Sequence, residues 1–91
     1  MVHTIDDISL VSELVLGTLQ VSGRPVMFGE LCFLIYGVHQ ELSKEQEDQI
    51  LGFYEDGIYP FCDPNVVRRA VWHLIDAGKV ELTSDRKFVA V

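Results

Sequence analysis

The sequence predicts a mainly α-helical domain that ends in a small β-hairpin, an α+β fold of about four helices spanning residues 1–91. Three observations predict it. Apolar residues recur at three- and four-residue steps in four separate stretches, as they do on helices that bury one face. The C-terminus instead alternates, with "KVELT" and "KFVAV" around "SDR", the pattern of two half-buried strands joined by a tight turn. Finally, 91 residues suffice for one domain but are too few for two.

The first helix is expected over residues 5–20, where Ile8, Val11, Leu14, Val15 and Leu19 share helical spacing. Thr4 or Asp6 can cap it, and Asp6 and Asp7 suit its positive end. Gly17 weakens it by about 1 kcal/mol relative to alanine, or makes room for a close neighbour. "VSGRP" breaks the pattern, and "PVMF" can supply a short extended segment. In "FGELCFLIYGVH", Leu31, Leu34, Ile35 and Val38 predict a largely buried helix; a strand is the competing reading of "LCFLIY". "SKEQEDQILGFYEDG" opens with a capping-box spacing, Ser43 to Gln46, and carries apolar anchors at Ile50, Leu51, Phe53 and Tyr54. It ends near Gly52 or Gly57, and "GIYPFCD" is a loop in which Pro60 disfavours helix at Tyr59.

The fourth helix has the clearest signals. Asp63 is a strong N-cap, Pro64 takes the first helical position, and Gly78 is placed to end the helix. Val67, Ala70, Val71 and Leu74 form one apolar stripe with Ile75 beside it. In the hairpin, Val80 and Leu82 share a face with Phe88 and Ala90, or with Val89 and Val91 if the register slips by one. Loop length leaves both open.

Composition excludes several classes. No apolar run approaches the ~18 residues of a membrane span, and "MVHTIDDISL" lacks the features of a signal peptide, so a cytoplasmic protein is expected. Cys32 and Cys62 form no CxxC; Cys32 reads as a small buried hydrophobe and Cys62 as more exposed. His3, His39 and His73 lack metal-ligand spacing, and no phosphate-cradling glycine motif or nucleophile elbow is present. The expectation is therefore no enzyme, no cofactor and no metal. The net charge of −7 argues against nucleic acid at first sight, but it is unevenly placed. Residues 1–62 hold two basic and ten acidic side chains, a net −8, whereas residues 63–91 hold five and four, a net +1.

That segment, "DPNVVRRAVWHLIDAGKVELTSDRKFVAV", with its capped helix, paired arginines, "LIDAGKVEL" exit and charged hairpin tip, resembles the recognition helix and wing of the winged helix-turn-helix superfamily. The match is good over the C-terminal third and holds only in outline elsewhere. It departs from the family in one place: about two dozen residues, with a helix among them, separate "LCFLIYGV" from Asp63, where the motif has a short turn; either that helix is the true second member of the motif or the family layout is expanded. The resemblance implies a winged-helix-like DNA-binding protein, with transcriptional regulation as its expected role. Its site would be Asn65, Arg68 and Arg69 on the helix, whose side chains suit base edges or phosphates, and Arg86 and Lys87 at the hairpin tip. Paired arginines also simply solvate helix surfaces, or pair with acids at little net energy. Trp72 suits the rim of the core; if exposed, it would anchor a partner protein. The alternative reading is accordingly an acidic winged-helix module that binds another protein and no nucleic acid. A homodimer would double the cations that one chain can offer to DNA.

Overall fold

The structure is a computed structural model that describes residues 7–37 and 41–91. The expected caps Thr4 and Asp6, together with His3, Val38 and His39, lie outside the described residues. Four helices and a three-stranded antiparallel sheet make up an α+β fold with a C-terminal hairpin.

Helix α1 (Ile8–Ser22) is capped by Asp7, whose carboxylate accepts from the Ser9 N–H at 2.9 Å and the Leu10 N–H at 3.4 Å. The residue expected to act only on the helix dipole is thus the cap itself. Val11, Val15 and Leu19 are fully buried, but Leu14 is 36% exposed and stands off that stripe. The helix runs past residue 20 to Ser22 because Gly23, at φ 61°, donates its N–H to the Leu19 carbonyl and closes the last turn.

The expected extended segment is strand β1 (Val26–Met27), and Phe28 already belongs to helix α2 (Phe28–Cys32). Helix α2 continues as a π-helical segment, Phe33–Gly37. From Leu31 to Gly37 every residue except Leu34 is buried, as a run apolar on all sides requires. No strand forms in "LCFLIY".

Helix α3 (Lys44–Glu55) carries the predicted capping box: Ser43 accepts from the Gln46 N–H at 3.2 Å, and Gln46 accepts from the Ser43 N–H at 3.0 Å. It ends at Gly57 rather than Gly52. The Ile58 N–H reaches the Phe53 carbonyl and the Gly57 N–H the Tyr54 carbonyl, a pair of bonds that places Gly57 in the left-handed region at φ 86°. Tyr54 fixes α3 to the body. It is 1% exposed, meets Phe33 and Tyr59 edge-on at 5.8 and 5.9 Å, and donates its hydroxyl to the Pro60 carbonyl.

Helix α4 (Pro64–Asp76) has Asp63 as its N-cap, accepting from the Asn65 N–H at 3.0 Å, and it ends through Gly78 with the same pair of bonds. It packs on α1, while α2 and α3 pack on each other. Strands β2 (Val80–Leu82) and β3 (Lys87–Ala90) pair Val80 with Ala90 and Leu82 with Phe88, the first of the two registers. Strand β1 then pairs with β3, giving the order β1-β3-β2, so the hairpin gains a third strand. Among the described residues no helix is long and apolar enough to cross a membrane.

Candidate nucleic-acid interface

Helix α4 has two distinct faces. Val66, Val67, Ala70, Val71 and Leu74 are buried, whereas Asn65, Arg68, Arg69, Trp72, His73 and Asp76 are exposed and lie together on the outer side. The apolar stripe read from the sequence therefore orients the helix as expected. Trp72 sits half-buried at the rim of the core. It is 50% exposed, and its indole has neither a ring contact nor a hydrogen-bond partner among the described residues.

Three of the expected site residues converge. The Arg68 guanidinium lies 4.9 Å from the centroid of the Phe28 ring and reaches the Asn65 side-chain oxygen at 3.5 Å. Phe28 is in turn held edge-on by Tyr59 at 5.8 Å and by Phe88 at 6.3 Å. This cation–π seat restrains a side chain that would otherwise sample many rotamers. Across an open groove of about 480 Å³ from Arg68 stands Arg86, in the hairpin turn, and Trp72 and Leu82 line the same groove. Among the described residues no carboxylate lines it. On its other side Arg86 borders a cleft lined by Glu30, Glu55 and Asp85. It stands between that cleft and the groove.

The other two differ. Arg69 lies on the outer face of α4 but does not line the groove. Lys87 is half-buried and turned toward Asp85, its ammonium 3.6 Å from the carboxylate. The Thr83 hydroxyl donates to the same carboxylate and, ahead of Lys87, holds it below the usual carboxylate value.

The arginines differ in their partners. Arg24 is paired with Glu30 at 2.5 Å. Among the described residues Arg68, Arg69 and Arg86 have no carboxylate within 4.0 Å, although the chain has 14 acids to seven bases. Sequence reasoning found these arginines but missed the aromatic residues Phe28, Tyr59 and Phe88, which come from three separate segments. No spacing links them. Both thiols are free; contact with Cys62, then burial, pushes the Cys32 thiol well above its usual value and keeps it protonated. Among the described residues no three His, Cys, Asp or Glu side chains gather as metal ligands.

Comparison of the chain with protein-family models, with curated proteins and with solved structures returns no match.

Proposed function

We propose that this chain is a small DNA-binding protein of the cytoplasm, a regulator rather than an enzyme, which lays the outer face of α4 on duplex DNA and reaches the backbone with the hairpin turn. The observation that carries this reading is the set of three arginines without acidic partners on adjoining surface. In a chain so rich in carboxylates, Arg68, Arg69 and Arg86 have no acidic partner among the described residues, which leaves guanidinium donors for an external anion. Arginine and asparagine on one exposed helix stripe have the donors that guanine and adenine edges accept or complete, and a helix of this kind fits a major groove ~12 Å wide. The element order, a capped helix followed by a hairpin whose turn carries a cation, agrees with the winged-helix resemblance. In that reading α3 is an addition that packs on α2 and leaves the outer side of α4 uncovered.

The net −8 of residues 1–62 disfavours contact of that part of the chain with DNA. A second reading, an acidic protein-binding module, has one observation in its favour: Trp72, Leu82 and Met27 are 50%, 44% and 51% exposed. Fluorescence anisotropy with a mixed-sequence duplex across a salt series separates the two. Binding in the range of ~10⁻⁴ to 10⁻⁶ M that strengthens as salt falls, and that Arg68→Ala/Arg69→Ala weakens at least tenfold with the fold intact, is the expected result. No binding at low salt, with protein well above ~10⁻⁴ M, sinks the DNA reading in favour of a protein partner.

A further inference from the structure

We propose that the groove between α4 and the hairpin holds an unpaired nucleotide, its base against Trp72 and its phosphates at Arg68 and Arg86, so that the preferred DNA carries a single-stranded segment beside duplex. The inference rests on the DNA-binding reading above and names the kind of DNA. A paired base is covered above and below by its neighbours and shows only its edges in the grooves. An indole face can be used only by a base that has left the stack. Trp72 offers such a face: it is half exposed, and no other ring of the described residues lies against it. The remaining aromatic rings of the groove are already engaged, since Phe28 meets Tyr59 and Phe88 edge-on and carries Arg68 over its face. They hold the site open rather than compete for the base.

Size and charge agree with this occupant. The groove, at about 480 Å³, falls within the ~300–1,000 Å³ of small-molecule sites, enough for one nucleotide unit. Among the described residues Arg68 and Arg86 border it without acidic partners, and no carboxylate lines it. From Arg86 the strand can run back along α4, toward Arg69.

The test measures anisotropy for three DNAs of one sequence: a blunt duplex, the duplex with a short single-stranded overhang, and the duplex with the same overhang made abasic. The overhang duplex is expected to bind about tenfold tighter than the other two, the size of one stacked base. Trp72→Ala should abolish the preference and Trp72→Phe should restore most of it, both variants being checked for fold by circular dichroism. Emission from the chain's single tryptophan should be quenched by the overhang DNA more than by the blunt duplex. Equal affinity for all three DNAs, a preference that the abasic overhang shares, or one that survives Trp72→Ala would each overturn this inference and leave the duplex reading standing. Binding of overhang DNA without any binding of blunt duplex would uphold the groove and sink the duplex reading. If none of the three DNAs binds, both fail together.

Discussion

Arg86 occupies a backbone conformation that glycine adopts more easily. Its φ of 62° is in the left-handed region, at the end of a turn closed by the Arg86 N–H to Thr83 carbonyl bond at 3.1 Å. An L-residue there costs about 1 kcal/mol relative to glycine, and the guanidinium gains no carboxylate in return among the described residues. Arg86→Gly should therefore raise the unfolding free energy by about 1 kcal/mol in urea titration while reducing the salt slope of DNA binding by about one. A less stable variant with unchanged binding would show that Arg86 serves the hairpin instead. At this scale the local signals were legible: Ser43, Asp63, Pro64 and Gly78 act on backbone groups within a few residues, and each does so as its position suggests. The pairing of Lys87 with Asp85 and the seat of Arg68 on Phe28 were not legible, because one depends on turn geometry and the other joins residues forty positions apart.

Among the elements, α4 was the most legible and α2 the least. The stripe of α4 has one clean face, so periodicity alone orients it. The α2 run is apolar all round, which signals burial without a direction, and its continuation into a π-helical segment has no sequence mark. Nor does a two-residue strand, too short to show alternation, announce that β1 will pair with β3. The fit of α2 against α3 is testable at Gly29, and the open surface of α1 at Gly17. A Cβ added at Gly29 would lie 2.4 Å from the Tyr54 carbonyl oxygen and 3.0 Å from its carbon, backbone atoms that cannot rotate away. Gly29→Ala should destabilise by about 1–3 kcal/mol as the helices separate. A Cβ at Gly17 meets nothing within 4 Å, so the close neighbour that this glycine could admit is absent among the described residues. Gly17→Ala should then stabilise by up to about 1 kcal/mol. A urea midpoint that does not fall in Gly29→Ala would contradict the packing of α2 on α3.

For the whole molecule, the decisive quantity is how few cations face the DNA. The chain carries a net −7, and Arg24 and Lys87 are engaged by Glu30 and Asp85, which leaves Arg68, Arg69 and Arg86 on the proposed surface. Counterion release ties that number to a measurable slope: log K against log salt falls by about 0.9 per phosphate neutralised on duplex DNA. One chain engaging three phosphates should give a slope near −2.7, and two copies side by side about twice that. Arg69→Ala should remove about 0.9 per chain from the slope without changing the preference for an overhang, because Arg69 lies outside the groove. Sedimentation at the same concentrations counts the copies independently. A slope near −5 with a monomer in solution and on DNA would mean that cations outside the proposed face, Lys44 or Lys79 among them, carry the contact, and the assignment of the interface to α4 and the hairpin would have to be withdrawn.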